Sequence, residues 1–137
     1  MRVYLCGAMS GCTDEEAKVW RDEVSNKLKV RNIVPLNPME RDYRDKDTAE
    51  KYKYIVEEDK IDIMMSDIVL VNYSRPSVGT SMEILLAWEN NKRVVLVHPP
   101  GIFLSPWLLY HTHDRFTSMD EALQKIIDIN LKTCDTW

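Results

Sequence analysis

Two acidic residues stand at positions where a carboxyl group can do more than face solvent. Glu83 follows a loop rich in small residues and falls in the predicted first turn of a helix, where unpaired N–H groups and the helix dipole stabilise a carboxylate anion. Asp59 falls on an otherwise apolar helical stripe, where desolvation would raise its pKa toward that of a proton donor. In nucleophilic displacement at a sugar carbon, an ionised carboxylate is the nucleophile and a protonated carboxyl group donates a proton to the leaving group.

Each acidic residue also has a plainer interpretation. Acidic residues are common in first helical turns as capping charges, so Glu83 alone does not establish catalysis. A buried Asp59 can equally be a structural carboxylate whose hydrogen bonds are satisfied, and the nearby Asp67 is best explained as a residue that ends an element before a strand. The residue types by themselves leave these alternatives open.

Two loops rich in small residues could bring backbone N–H groups against a polar ligand. They span Gly7–Gly11 and Tyr73–Gly79, and each follows a predicted strand. In an open parallel sheet, ligands bind beyond the carboxyl ends of the strands, which is where both loops begin. Neither loop matches the G-x-G-x-x-G or Walker A pattern, which argues against an intact dinucleotide or a triphosphate as ligand.

The elements that must position these residues alternate between strands and helices. Short apolar runs predict five strands, at Arg2–Cys6, Asn32–Leu36, Ile68–Val71, Val94–His98 and Arg115–Thr117. Helices are predicted after Thr13, over about Thr48 to Met65 and Thr80 to Asn90, and after Ser118. Right-handed crossovers between such elements predict an α/β fold, a doubly wound three-layer sandwich with a mostly parallel five-stranded sheet of order 2-1-3-4-5, as in flavodoxin-like and Rossmann-like proteins.

Local patterns refine this expectation. The pairs Thr13 with Glu16 and Ser118 with Glu121 have the spacing of capping boxes. Pro35 predicts that the second strand lies at a sheet edge. The stripe that carries the acidic residue of the second helix should face inward and consists of Tyr52, Ile55, Val56, Asp59 and Ile63. The charged stretch Asn37 to Asp47 is either a solvated loop, which we favour, or a mobile flap.

Composition limits the classes of protein. The 137 residues suit one domain over residues 1–137, and the net charge of −4 argues against a partner such as polymeric nucleic acid. No apolar stretch is long enough to cross a membrane and no signal peptide is recognised, so we expect a cytoplasmic protein. Cys6, Cys12 and Cys134 lack paired spacing and are expected to be free thiols, and the isolated pair His111 and His113 predicts no metal site. No cofactor is expected.

Four segments resemble a known family. They are Val3-Tyr4-Leu5-Cys6-Gly7, Glu58-Asp59, Ser66-Asp67-Ile68-Val69-Leu70-Val71 and Pro76-Ser77-Val78-Gly79-Thr80-Ser81-Met82-Glu83. Together they are similar to the nucleoside 2-deoxyribosyltransferase family, which includes the 2′-deoxynucleoside 5′-monophosphate N-glycosidases. The resemblance extends from Arg2 to about Ile127, and the pattern Pro-Ser-x-Gly-x-x-x-Glu is its most specific part.

The resemblance implies a catalytic set. Glu83 would be the nucleophile that forms a glycosyl-enzyme, Tyr4 would orient it, and Asp59 would protonate the leaving base. The substrate would be a nucleoside or nucleotide, and the site would be shared between the subunits of a homodimer or a higher homo-oligomer. This chemistry agrees with an oxocarbenium-like transition state, which a deoxyribose without its 2′-hydroxyl reaches more easily.

The resemblance also implies substrate-binding residues, which are Gly7, Ser10, Ser77, Gly79 and Ser105. Serine at position 77, where the transferases tend to have an acidic residue, is similar to the monophosphate hydrolases, because a hydroxyl can donate to a phosphate that a carboxylate would repel. Ser105 would reach the phosphate from a neighbouring subunit. Ser10 stands where the hydrolases often have an arginine, and Arg75 or the amides of the Gly7 loop would have to compensate.

Three other interpretations stay open. The protein could exchange bases as a transferase, it could bind nucleotides without catalysis, or it could act on a dinucleotide, which would need a larger cleft than a short chain provides. A mere binding module need not retain Tyr4, Asp59 and Glu83 together. The cluster Trp107 to Tyr110 suits either an apolar subunit contact or core packing. The residues do not identify the base.

Overall fold

A five-stranded sheet forms the centre of the computed structural model, which describes residues 1–41 and 49–134. The strands are β1 (Arg2–Gly7), β2 (Val34–Leu36), β3 (Ile68–Asn72), β4 (Arg93–Val97) and β5 (Asp114–Phe116). Their order is β2-β1-β3-β4-β5 and all four pairings are parallel. The predicted α/β class and strand order are therefore confirmed, and the sheet is wholly rather than mostly parallel.

Helices cover both faces of the sheet. They are α1 (Asp14–Lys29), α2 (Lys51–Met65), α3 (Val78–Glu89), α4 (Pro106–Tyr110) and α5 (Met119–Cys134), with a short 3-10 turn at Pro38–Glu40. Helices α1 and α5 share one apolar core with the sheet, whereas α2, α3 and α4 share the other. The charged stretch predicted as a loop or flap lies largely outside the described residues. Among the described helices, none has the length and apolar character that crossing a membrane requires.

Alternate residues of β1 serve the two faces. Val3 and Leu5 pack in the core beneath α1 and α5, while Tyr4 and Cys6 pack beneath α2 and α3. This follows from the period of two along a strand, because successive side chains point to opposite sides of the sheet. The strand therefore contributes a pair of aliphatic residues to one face and a phenol and a thiol to the other.

Capping residues fix the beginnings of two helices as predicted. The Thr13 hydroxyl accepts a hydrogen bond from the Glu16 N–H at 3.1 Å and starts α1. The Ser118 hydroxyl accepts one from the Glu121 N–H at 3.3 Å at the start of α5. Each bond satisfies an N–H group that has no partner within its helix.

The predicted strands β4 and β5 are displaced by one residue in the structure, and two larger differences concern β2 and α4. Strand β2 begins at Val34 rather than Asn32, because Asn32 has a φ of 58° and the Ile33 N–H donates to the Leu28 carbonyl, which closes the end of α1. Its place at the sheet edge confirms the interpretation of Pro35. The segment after Ser105, for which the sequence predicted no helix, forms α4, and the Ser105 hydroxyl accepts a hydrogen bond from the Leu108 N–H at 3.3 Å at its start.

The predicted inward stripe of α2 is only partly buried. Tyr52 and Val56 are 62% and 47% exposed, whereas Ile63 is fully buried. Helix α2 contacts β1 and α3 along a narrow line, and its apolar residues are spread around the helix rather than gathered on one side. The prediction was wrong for Tyr52 and Val56, whereas Ile55 and Asp59 are half-buried on the line that leads to Ile63.

Candidate active site

The start of α3 differs from the prediction in a way that changes the meaning of Glu83. Ser77 is the N-cap, and its hydroxyl accepts from the Thr80 N–H at 3.3 Å. The helix begins at Val78, so Glu83 is its sixth residue and lies in the second turn, not the first. No acidic residue occupies the first turn, and the capping role belongs to Ser77. The interpretation of Glu83 as a capping charge therefore loses its basis.

Glu83 is half-buried against the end of β1, where its surroundings make it a weak acid. Burial raises its pKa to about 7, the charge of Asp59 acts in the same direction, and hydrogen-bonding interactions with Tyr4 and Cys6 and the charge of Arg21 oppose the rise. Its Oε2 atom is buried and has no hydrogen-bond partner among the described residues. A carboxylate oxygen with free lone pairs is suited to meet an electrophile.

Tyr4 lies in the middle of β1 and is almost completely buried. Burial and the charge of Glu83 raise the pKa of its phenol far above the ordinary value, so the hydroxyl stays protonated. A neutral phenol can donate to the Glu83 carboxylate and hold one orientation of it. The structure thus brings together the two residues that the sequence pattern pairs.

Asp59 faces the same cluster from α2 and has a partner that the sequence did not reveal. Arg41, which follows the 3-10 turn, forms an ion pair with Asp59 and also contacts Asp62 at 2.6 Å and Glu58 at 3.5 Å. Burial raises the pKa of Asp59 and Arg41 lowers it, with a net upward direction. The structural interpretation of Asp59 therefore stands beside the catalytic one, because this carboxylate is well paired in the described state.

The first loop depends on Gly7 because no side chain fits there. A Cβ at this position would lie 2.9 Å from Cζ2 of Trp20 and 3.2 Å from the Asn72 carbonyl oxygen. Gly11 has a φ of 76°, which a side chain would strain. Ser10 is exposed at the tip of this loop, where no described side chain covers it.

The second loop lies against the first. The Arg75 guanidinium approaches the Cys12 thiol, with 2.6 Å between Nη2 and Sγ. Gly79 is exposed, and a Cβ added to it would meet no atom within 4 Å. Ser77 and Gly79 therefore border open space at the start of α3, with a cation close by on the same loop.

Ser105 is the predicted residue that the structure does not bring to the cluster. It caps α4 and lines a separate cavity of about 220 Å³ together with Met82, Trp107 and His111. The lining of that cavity includes none of Tyr4, Asp59 and Glu83. Within one copy of the chain, Ser105 is thus apart from the candidate catalytic residues.

The two histidines singled out in the sequence are engaged with the backbone. His113 Nδ1 accepts from the Val94 N–H at 2.9 Å, and His111 Nδ1 lies 2.7 Å from the Trp107 carbonyl oxygen. Within residues 1–41 and 49–134, no group of three or more His, Cys, Asp or Glu side chains is arranged to hold a metal ion.

Sequence reasoning missed two arginines that interact with the carboxyl groups of the candidate site. Arg21 is fully buried, although it lies on the apolar face of α1, four residues after Ala17 and three before Val24. That spacing could have marked it, in the same way that the apolar stripe marked Asp59. Arg41 gave no comparable signal, because the charged stretch that it opens has no periodic pattern.

A family model described as nucleoside 2-deoxyribosyltransferase matches residues 3–101 and spans all the elements that carry Tyr4, Asp59 and Glu83. The chain belongs to the nucleoside 2-deoxyribosyltransferase family. Membership makes it an enzyme of a family described by deoxyribosyl transfer from nucleosides. The predicted family is confirmed, while the roles of individual residues stay predictions.

Solved structures share the fold of this nucleoside 2-deoxyribosyltransferase family member. A 2-deoxyribosyltransferase of Bacillus psychrosaccharolyticus has a TM-score of 0.74 at 17% identity and covers 90% of each chain. A CMP N-glycosidase of Clostridium botulinum has a TM-score of 0.62 at 16% identity, over 92% of this chain and 98% of that one. A conserved protein of Enterococcus faecalis has a TM-score of 0.75 at 18% identity, over 94% and 98%. No curated protein matches the sequence.

Proposed function

We propose that the protein hydrolyses the N-glycosidic bond of a 2′-deoxynucleoside 5′-monophosphate through a glycosyl-enzyme on Glu83. The observation that carries this proposal is the convergence of Tyr4, Asp59 and Glu83 beside the carboxyl end of β1, with the Glu83 Oε2 atom free of hydrogen bonds. A binding module has no need for a half-buried carboxylate with one oxygen kept without a hydrogen-bond partner, since burying a polar atom in this way costs free energy.

The first step would form a bond between a Glu83 oxygen and C1′ of the sugar. The bond between C1′ and the base nitrogen breaks, and its electron pair leaves with the base, which takes a proton from Asp59. The phenol of Tyr4 holds the attacking carboxylate through this step. In the second step, Asp59 accepts a proton from water, which attacks C1′ and releases Glu83 as a carboxylate.

Protonation of Asp59 requires that Arg41 be satisfied by another carboxylate. Asp62 lies 2.6 Å from Nη1 of Arg41 and Glu58 lies 3.5 Å from its Nε, so the guanidinium keeps anionic neighbours when Asp59 carries a proton. The cost of a buried unpaired cation is thereby avoided. The Arg41 guanidinium would then stabilise whichever of the neighbouring carboxylates is ionised.

The start of α3 suits a phosphate group. Ser77 supplies a hydroxyl, Gly79 lies among the free N–H groups of the first turn, and Arg75 adds a guanidinium between the two loops. No acidic residue occurs between Tyr73 and Ser77, so nothing on this loop repels an anion. These features support a 5′-monophosphate over an uncharged nucleoside.

Base exchange is the second candidate, and the description of the matching family as transferases favours it. Both activities share the first step and differ only in whether water or a second base resolves the glycosyl-enzyme. We favour water because Ser77 occupies the position where the transferase pattern has an acidic residue. The acidic overall charge and the free thiols of Cys6 and Cys12 suit a reaction in the cytoplasm.

The active unit would be a homodimer. Apolar side chains are exposed together on α3 and α4: Met82 is 67% exposed, Trp107 71% and Tyr110 69%. A second copy that covers this surface would remove it from water and bring the partner subunit's Ser105 toward Glu83. The position of Ser105 outside its own site supports this arrangement.

Chromatography of reaction mixtures tests the activity. Deoxynucleosides and their 5′-monophosphates are incubated with enzyme, with and without a second free base, and Glu83→Ala is the control. Release of base from a monophosphate without a second base is the expected result. Mass spectrometry of the quenched mixture should show the mass of a deoxyribosyl phosphate on the wild-type chain and not on Glu83→Ala. Base loss only when a second base is present would establish exchange instead.

The variant Ser77→Asp tests the phosphate site. A carboxylate at this position should raise KM for the monophosphate by about ten-fold or more, since the lost interaction with an anion is worth about 1.5 kcal/mol or more. The KM for the nucleoside should change little. Equal changes for both substrates would show that position 77 does not contact the phosphate, and Ser74→Asp serves as the matched control on the same loop.

Mixing two inactive variants tests the shared site. Glu83→Ala and Ser105→Ala, each impaired alone, should recover activity after they are unfolded together and refolded, because a mixed dimer contains one intact site. Sedimentation should show a dimer for the wild-type chain and a monomer for Trp107→Glu. Activity that stays at the sum of the two variants would contradict a site shared between subunits.

A further inference from the structure

One arginine of the described residues, Arg21, is fully buried in the interior of the protein. Arg21 of α1 donates from Nε to the Leu5 carbonyl at 3.2 Å, from Nη2 to the Gly7 carbonyl at 3.0 Å, and from Nη1 to the Ala17 carbonyl at 2.6 Å. The ring of Trp20 lies 4.7 Å from its guanidinium carbon. Two of the three hydrogen bonds thus go to the end of β1, where the first loop begins.

The charge of Arg21 has no contacting counter-ion. None of the ion pairs between described residues includes it, and all three of its nitrogen atoms donate to backbone carbonyls. A buried cation without an anion is costly. The carboxyl groups whose charges act on it are those of the candidate site, Asp59 and Glu83.

We propose that Arg21 is a positioning residue for the reaction, which fixes the end of β1 through the Leu5 and Gly7 carbonyls and adds a buried positive charge to the candidate site. This inference rests on the proposed function, in which Glu83 must attack as an anion. Leu5 and Gly7 flank Cys6, and Tyr4 precedes them, so a displaced strand end would move both side chains that face Glu83.

Electrostatics support the second part of the role. Burial raises the pKa of Glu83 to about 7, and Arg21 is a cation that lowers it. The other groups that face Glu83 are Tyr4 and Cys6 from β1 and Asp59 from α2, and Asp59 is itself held by Arg41. Loss of the Arg21 charge leaves Glu83 with an anionic neighbour on α2, so a larger share of Glu83 would be protonated at neutral pH.

Two substitutions separate charge from hydrogen bonding. Arg21→Gln keeps an amide donor and removes the charge, whereas Arg21→Lys keeps the charge and loses the branched donor. Arg93→Gln removes a similar charge at the beginning of β4, where Arg93 pairs with Asp114 at 2.8 Å, and serves as the matched control. Circular dichroism and thermal melting establish which variants are folded.

The protonation midpoint of Glu83 is read by infrared difference spectroscopy, with the carboxyl band assigned by its absence in Glu83→Gln. In the wild-type protein we expect a protonation midpoint at a pH of about 7. In Arg21→Gln this midpoint should increase by about one pH unit or more. Arg21→Lys and Arg93→Gln should stay within about half a unit of wild type. A wild-type midpoint in folded Arg21→Gln would overturn the electrostatic role.

Kinetics test the same role through turnover. The midpoint of the acid limb of kcat should move to higher pH in Arg21→Gln, so that activity recovers at high pH. In Arg21→Lys this midpoint should stay at the wild-type pH, while KM should increase. If Arg21→Gln does not fold, Arg21→Lys decides: a limb displaced by more than about one unit with the charge present would overturn the proposal. The infrared midpoint needs no substrate, so an absence of base release in the wild-type enzyme would refute the proposed function without touching the measured effect of Arg21.

Discussion

The two faces of the sheet differ in the kind of side chain that they bury. Beneath α1 and α5 the core is aliphatic, with Val3 and Leu5 of β1 among its members. Beneath α2 and α3 the same strand buries Tyr4 and Cys6, and Glu83 is half-buried beside them. One strand therefore contributes stabilising apolar area on one side and costly polar groups on the other.

This difference teaches how a short chain combines stability with a reactive site. Apolar burial contributes about 25 cal/mol per Å² of area removed from water, whereas a buried polar atom without a partner lowers stability. The face of α1 and α5 thus stabilises the fold, and the opposite face holds a carboxylate oxygen that no described residue satisfies. Substitutions on the two faces should have opposite signatures.

Glu83→Gln should produce the largest effect and should fall on activity alone. We expect base release to decrease by about 10³-fold or more, because an amide is not a nucleophile. The unfolding free energy should stay the same or increase, since a carboxylate that is costly to bury has been replaced by a neutral group. Rate measurements and denaturant titration check both, and a variant that keeps its activity would contradict the assignment.

Glu83→Gln should also change the pH dependence of the unfolding free energy. Glu83 has an ordinary pKa near 4.5 when unfolded and about 7 when folded, so the folded state binds more protons between these values. Its contribution to stability is fully present below pH 4.5 and is lost as the pH rises to about 7. Activity requires the opposite ionisation and should increase through pH 7. Glu83→Gln should abolish this part of the stability slope.

Leu70→Ala tests the opposite face and should rank second. Leu70 is fully buried in the core beneath α1 and α5, and its truncation should lower the unfolding free energy by about 2 to 5 kcal/mol. The kcat of the molecules that remain folded should be close to wild type at low temperature. A large loss of kcat without loss of stability would contradict the division between the two faces.

The periodicity of the sequence predicted most of the sheet, and the family pattern selected Tyr4, Asp59 and Glu83, whose catalytic roles stay predictions. Buried runs such as Ile68 to Val71 identify parallel strands because both of their faces are covered. Helix α4 was missed because five residues are too few for a periodic pattern. The pairing of Asp59 with Arg41 depends on the path of the chain between β2 and α2, which no local pattern specifies.

Tyr4→Phe should have a smaller effect on activity, on the face of the sheet that carries the candidate site. The phenol keeps its ring but loses the hydroxyl that interacts with Glu83, so kcat should decrease by about 10 to 100-fold, in proportion to one lost hydrogen bond to a charged group. The midpoint of the acid limb should move upward, because the interaction lowers the pKa of Glu83. An unchanged pH profile would show that the phenol does not act on Glu83.

Thr80→Val should have the smallest effect and sharpen the comparison on α3 itself. Thr80 is buried one turn before Glu83, and its hydroxyl has no partner among the described residues. Valine has nearly the same shape, so the unfolding free energy should be unchanged or up to about 1 kcal/mol higher. Activity should be retained. A strong loss of activity would instead place the Thr80 hydroxyl against the substrate.

The short outer strands of the sheet have a consequence for behaviour at high concentration. Strands β2 and β5 have three residues each, and β2 contains Pro35, which has no N–H to offer a foreign strand. Such edges are poor templates for cross-molecular β-pairing and for fibril growth. Self-association of this enzyme should therefore preserve its native strand content. In concentrated solutions, an amyloid-specific dye should show no increase in fluorescence.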